Sequence, residues 1–263
     1  TGAQLTTLAE HTNSVLALAW SPDGRYLASG SADRTIRVWN SSDGSRQLLL
    51  SNQDGIVRSV AFSPDSTSVA GVAGYTATVW SLADGNEQGR LRHNDTPLMV
   101  AFSPDGQWIA TSLARGGIRI WDRQSGRESR SISTKPGLNG AWFGPDSTIV
   151  ACAHTDGTIS LCDVATGKPL SSMHGPQRSV EWLDFSPDGR RIASCSPDMM
   201  LRIWDVTSAS QVYSIRAHDA PVMCARFSSD GMAIATCGQD GLIKMWEARP
   251  DPATQPGPTT TAE

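Results

Sequence analysis

Six copies of one pattern, spaced 40 to 42 residues apart along a 263-residue chain, predict an all-β fold. The expected architecture is a β-propeller of four-stranded antiparallel blades, with one blade for each repeat. Two further observations agree with the period. Each repeat carries a Ser-Pro-Asp turn or a near copy, at Ser21-Pro22-Asp23-Gly24, Ser63-Pro64-Asp65-Ser66, Ser103-Pro104-Asp105-Gly106, Gly144-Pro145-Asp146-Ser147, Ser186-Pro187-Asp188-Gly189 and Ser228-Ser229-Asp230-Gly231. Each then closes a later apolar run on an anchor, at Trp39, Trp80, Trp121, Cys162, Trp204 and Trp246.

Within the first repeat, Val15 to Trp20 is one apolar run, Arg25 to Ser29 a second and Thr35 to Trp39 a third. Runs of strand length without polar alternation predict strands covered on both faces, as in a sheet sandwiched between neighbouring sheets. Pro22-Asp23-Gly24 suits the tight turn between the first two strands, because Pro presets φ and Gly accepts a positive φ. Gly44, Gly85, Gly126 and Gly167 stand five residues after their anchors and mark a second turn, with Ala209 in the fifth repeat. A fourth strand follows each. The blades fall at about 10–50, 51–92, 93–133, 134–173, 174–217 and 218–247. Residues 1–9 match the end of a repeat and are expected to supply a closing strand to the last blade, so that 1–247 is the propeller. The repeats make either a six-bladed ring or part of a seven-bladed one. Residues 248–263, rich in Pro and Thr, are expected to be a flexible tail.

These turns and anchors resemble the tryptophan-aspartate (WD) repeat family of β-propellers. The resemblance implies a buried chain of Trp, Ser or Thr, His and Asp that ties the strands of each blade together. Repeat one matches it with His11, Ser29, Asp33 and Trp39, and repeat six with His218, Thr236, Asp240 and Trp246. Repeat five keeps Ser194, Asp198 and Trp204, but its His174 lies two residues too far upstream. In repeat two Gln53 and Gly74 stand where His and Asp belong. Repeat three has Arg115 in place of Asp, and repeat four keeps only Asp156 beside Thr134, Cys152 and Cys162. A half-satisfied buried network is costly, so His93 and Asp156 are expected to be solvated or to find other partners, and blades two to four to be the softer half.

Composition narrows the function. A net charge of −4 without a polybasic run argues against nucleic acid as the main partner, and the apolar runs are too short to cross a membrane. No secretory signal is recognisable. Five cysteines with no C-x-x-C spacing suit a reducing compartment, and a cytoplasmic location is expected, although Cys152 and Cys162 could pair across a hairpin. Recurrence of His11, His93 and His218 at one repeat position makes them structural. Gly167-Lys168 is followed by Pro169 rather than the Ser or Thr of a phosphate loop. Arg37, Arg119, Arg202 and Lys244, each two residues before an anchor, read as a solvated strand face. No catalytic residues, metal site or cofactor are expected.

Function is therefore expected where the repeats differ, on loops held by a rigid scaffold. The loop before the first strand and the turn between the second and third strands share one face. On it lie Tyr75, Arg115, Lys135, His154, Arg178, Met199, Met200, Asp219 and Gln239. Arg115, Lys135 and Arg178 fall on consecutive blades and would attract an acidic or phosphorylated peptide. Tyr75, Met199 and Met200 would add apolar anchors. As the family resemblance implies, the expected role is a non-catalytic protein-protein interaction scaffold with signalling use. It would be a monomeric ring serving as the regulatory domain of a larger intracellular protein. The alternative is a small-molecule-binding or enzymatic propeller that uses the channel mouth.

Overall fold

The computed structural model describes residues 6–51, 53–175 and 179–247. They form 23 strands and no helix, arranged as six antiparallel blades of a β-propeller. Blade one is β1 (Val15–Trp20), β2 (Tyr26–Ser31), β3 (Ile36–Asn40) and β4 (Arg46–Leu50). Blade two is β5 (Val57–Phe62), β6 (Ser68–Ala73), β7 (Thr76–Ser81) and β8 (Glu87–Arg92). Blade three is β9 (Pro97–Phe102), β10 (Trp108–Leu113), β11 (Ile118–Asp122) and β12 (Glu128–Ile132). Blade four is β13 (Leu138–Phe143), β14 (Ile149–His154), β15 (Thr158–Asp163) and β16 (Pro169–His174). Blade five is β17 (Trp182–Phe185), β18 (Arg191–Cys195), β19 (Met200–Asp205) and β20 (Ser210–Arg216). Blade six shows three described strands, β21 (Val222–Phe227), β22 (Ala233–Gly238) and β23 (Ile243–Glu247). Every blade is a plain meander of sequential neighbours.

The Ser-Pro-Asp turns are small hydrogen-bonded knots. Ser21 Oγ donates to Asp23 Oδ1 at 2.6 Å and accepts the Tyr26 amide at 2.9 Å, and Ser103 and Ser186 repeat the pattern with Asp105 and Asp188. Where most repeats carry a glycine at the turn's left-handed position, Ser66 and Ser147 adopt φ of 55° and 63°. Each hydroxyl accepts a backbone amide of the preceding blade, Asp23 N at 3.2 Å and Asp105 N at 3.0 Å. A conformation that strains any side chain is here offset by a stitch between blades.

The core lies between blades. Inner-strand residues such as Val60 and Phe62 of β5 pack on Ile36 and Val38 of β3, and the same arrangement recurs from blade to blade. All five cysteines are free thiols; Cys152 and Cys162 are buried in blade four at the places of the tetrad hydroxyl and Trp. Of the expected chain ends, Thr1–Leu5 of the closing strand and the tail 248–263 lie outside the described residues. Thr6 and Leu8 pack beside Gly44 of blade one. No helix among the described residues is long and apolar enough to cross a membrane.

Candidate partner-binding face

The tetrads stand where the resemblance implied in blades one and six. Trp39 Nε1 donates to Ser29 Oγ at 2.9 Å, Ser29 meets His11 Nε2 at 2.7 Å, and His11 Nδ1 meets Asp33 at 2.8 Å. In blade six the same path runs from Trp246 to Thr236, His218 and Asp240 in steps of 2.8 to 2.9 Å. Burial would raise the Asp33 carboxyl, but hydrogen bonds from Thr35, His11 and the Thr12 amide outweigh it and hold the group well below its ordinary value. Blade five keeps Trp204 Nε1 on Ser194 Oγ at 2.8 Å. Its Asp198 instead accepts from Arg202 Nη2 at 2.5 Å, while His174 turns to Ser172 at 3.1 Å. Arg202 has taken the place of the missing histidine. The supposed solvated stripe is thereby corrected: Arg37 and Arg202 are buried, Arg37 pairs with Glu10, and Lys244 Nζ donates to the Ala217 carbonyl at 2.8 Å.

Blade three has lost the last step. His93 Nε2 meets Thr111 Oγ1 at 2.8 Å and Trp121 Nε1 donates to the same hydroxyl at 3.0 Å, but His93 Nδ1 is buried without a partner among the described residues. Where a carboxylate would stand, Arg115 points outward with its side chain 89% exposed. Asp156 finds the Thr158 amide at 2.9 Å and Lys135 at 3.6 Å.

These losses assemble a local site. The β10–β11 turn that carries Arg115 abuts the linker that carries Lys135: Gly117 N donates to Thr134 Oγ1 at 2.8 Å, and a side-chain carbon at Gly116 would come 2.7 Å from the Lys135 carbonyl. A hollow of about 300 Å³ opens there, lined by Asn94, Asp95, Arg115, Gly116, Arg119 and Thr134 among others. Neither cation is tightly neutralised, since Asp95 is 3.9 Å from Arg115 and Asp156 3.6 Å from Lys135. Arg119, read from its periodicity as a mere strand-face residue, donates to Glu128 at 2.5 Å and to Asn94 at 3.1 Å and forms a wall of the hollow. The signal that could have found it is its place within the one repeat whose Asp had become Arg.

The other expected face residues are dispersed. Tyr75 is exposed at the β6–β7 turn, and its carbonyl accepts the His93 amide at 2.9 Å, which places it beside blade three. Met199, at φ 71°, and Met200 are half-buried in blade five; Gln239 and Asp219 are exposed near blade six, where Asp219 meets Arg216 at 3.3 Å. His154 is a correction: it is fully buried, with Nε2 on Ser160 Oγ at 3.1 Å, and presents nothing to a partner. Arg178 lies outside the described residues.

A larger central cavity of about 910 Å³ is lined by the inner strands, including Trp20, Arg58, Met99, Asn139, Glu181 and Arg226. Arg226 spans Asp184 at 2.9 Å and the face of Trp182, and burial raises the Asp184 carboxyl despite that cation. No cluster of three or more potential metal ligands occurs among the described residues.

Burial lowers both His93 and His154 from the ordinary 6.5. An unfolded chain takes up protons at these sites as the pH falls through about 6.5, while the folded chain resists, so their stabilising share is present above that pH and lost below it. We expect the melting temperature to fall from pH 7 to pH 5, and to fall less in a His93→Gln, His154→Gln chain; calorimetry across that range checks both.

Comparison with known proteins agrees with the blades. Over 197 residues the chain is 28% identical to the F-box-like/WD repeat-containing protein TBL1X of Mus musculus, covering 68% of this chain and 37% of that protein. It is 42% identical over 74 residues to the human WD repeat and SOCS box-containing protein 1, covering 27% of this chain and 18% of that one. It is 23% identical over 164 residues to THO complex subunit 3 of Arabidopsis thaliana, covering 61% and 40% respectively. The chain thus spans less than half the length of these relatives. The family model described as "WD domain, G-beta repeat" matches residues 2–40, 85–122, 167–205 and 209–247, more than half of the sequence and four of the places where a Trp anchor closes its strand, so the chain belongs to the WD-repeat family.

Proposed function

We propose that this propeller is a non-catalytic platform that holds protein partners on the loop face around its channel, and that the Arg115–Lys135 sector grips an acidic or phosphorylated peptide. The observation that carries the reading is the pair of weakly neutralised cations on two touching loops, Arg115 in the wall of a hollow of about 300 Å³ and Lys135 next to its lining residue Thr134. A planar guanidinium suits a carboxylate or phosphate through paired hydrogen bonds, and a flexible ammonium beside it adds charge. Names of relatives that speak of complexes, such as the THO complex subunit, accord with such a role. We place the domain in a larger intracellular protein with a regulatory use.

The test is affinity capture from lysate with this chain and with a folded Arg115→Glu, Lys135→Glu, Arg178→Glu chain, followed by binding of captured acidic segments as synthetic peptides. Loss of affinity by about tenfold or more, steepened at low salt, is expected. Partners and affinities unchanged by the three substitutions would discard the face.

A further inference from the structure

In blade one, two side chains of the β2–β3 turn cap His11 Nδ1, the Asp33 carboxylate at 2.8 Å and the Thr35 hydroxyl at 3.3 Å. Asp33 also accepts two backbone amides, Thr12 N at 3.1 Å and Thr35 N at 3.0 Å, so that both of its oxygens are held. Blade six repeats the arrangement, with Asp240 on His218 Nδ1 at 2.9 Å and on the Asp219 amide at 3.3 Å. The corresponding turn of blade three reads Arg115-Gly116-Gly117. Arg115, at the place of Asp33, turns out to solvent, and Gly117, at the place of Thr35, has no side chain. Both line the hollow of about 300 Å³, which therefore occupies the position of the groups that cap the histidine in blade one.

The rest of the network in blade three is intact and aims a donor at that position. Thr111 Oγ1 accepts the Trp121 indole N–H at 3.0 Å and keeps its own hydrogen for His93 Nε2 at 2.8 Å. The neutral ring then carries its proton on Nδ1, the atom that is buried without a partner among the described residues. Asn94, in the wall of the hollow, holds the place of Thr12, whose amide meets the carboxylate in blade one. Asp95, the one carboxylate among the described lining residues, is already taken by the Thr96 and Arg115 amides at 2.8 and 2.7 Å. Arg115 and Arg119 complete the wall with positive charge.

We propose that the hollow of blade three takes the side-chain carboxylate of an aspartate or glutamate in a bound peptide, which accepts a hydrogen bond from His93 Nδ1 and pairs with Arg115. The inference rests on the reading of the Arg115–Lys135 sector as a peptide-binding face, and it selects a carboxylate over a phosphate for the residue that enters the hollow. A planar, singly charged group is what this place holds in the complete blades. The partner thereby supplies in trans the group that the chain's own turn does not carry, and a buried donor that is costly while alone gains its acceptor in the complex.

The experiment titrates the 263-residue chain, isotope-labelled in its histidine rings, with N-acetylglutamate α-amide at constant ionic strength and at a pH above the histidine range; inorganic phosphate is the second probe. The His93 Nδ1–H resonance is expected to move saturably and its exchange with water to slow by about tenfold or more. The resonances of His11 and His218, already bonded to Asp33 and Asp240, are expected to stay in place. In an Arg115→Asp chain the His93 resonance should stand at the bonded position before any probe is added, and the glutamate derivative should bind at least about tenfold more weakly. Saturable shifts at the Gly116 and Gly117 amides with His93 unmoved would overturn the inference and leave the peptide-binding reading standing. No shift with the glutamate derivative, or a His93 response to phosphate at lower concentration than to the carboxylate, would overturn it as well. The broader reading is then decided separately, by capture with the Arg115→Glu, Lys135→Glu, Arg178→Glu chain.

Discussion

Replacing Trp204 by alanine is expected to destabilise the protein by about 3–5 kcal/mol, the range for removing a buried aromatic from a core. Its side chain is 2% exposed, packs in the cluster between blades four and five, and donates its indole N–H to Ser194. The substitution opens a cavity and leaves the Ser194 hydroxyl without its donor. Trp20→Ala is expected to cost less than about 1 kcal/mol in the same chain, because that ring lies on an uncovered face. Denaturant unfolding of the two variants checks the contrast. Similar losses for both would mean that Trp20 is buried in solution.

Arg115→Asp is expected to act in the opposite direction. The residue stands where Asp33 and Asp240 stand in the complete tetrads, and the buried His93 Nδ1 has no partner among the described residues. A carboxylate there would accept the imidazole N–H, which gains about 1–3 kcal/mol by satisfying a buried donor that is otherwise orphaned. The same change reverses the charge at the hollow, so capture of acidic partners should fall as the melting temperature rises. A stability gained at the expense of binding is the pattern of a residue retained for function against the local folding rule. No rise in stability would show that His93 already has its acceptor in water.

Much of this was legible in the residues. The period, the Ser-Pro-Asp knots and the tetrads of blades one and six are local patterns, and spacing specifies them. Other features depend on what lies opposite. Val15 to Trp20 reads as a strand covered on both faces, yet Leu18 and Trp20 are bare, because burial of an inner strand belongs to its neighbour as much as to itself. Arg37 and Arg202 looked solvated by periodicity, and only the structure shows Glu10 and Asp198 beside them. His154 looked like a loop residue, but it ends β14 and turns inward to Ser160, next to Cys152 in a blade that lacks the usual indole. Blades two to four, expected from their incomplete networks to be the softer half, have covered apolar faces, and the exposed faces belong to blades one and six. The Arg115–Lys135 contact was half visible, since the charges could be read but the abutting loops could not.

The placement of the complete tetrads has a consequence for how such an array holds together. In a row of similar units, each unit's stability is its own plus that of the interfaces it shares with its neighbours. Blades two to five have two such interfaces and stand with parts of the network missing. Blades one and six have one described interface apiece, and both keep Trp, Ser or Thr, His and Asp intact. They are the end units of the described array, internally braced where no lateral cluster is described. Bracing at the ends releases the middle: the positions that a network no longer claims, at Arg115 in blade three and at Thr134, next to Lys135, at the start of blade four, are those open to variation for recognition.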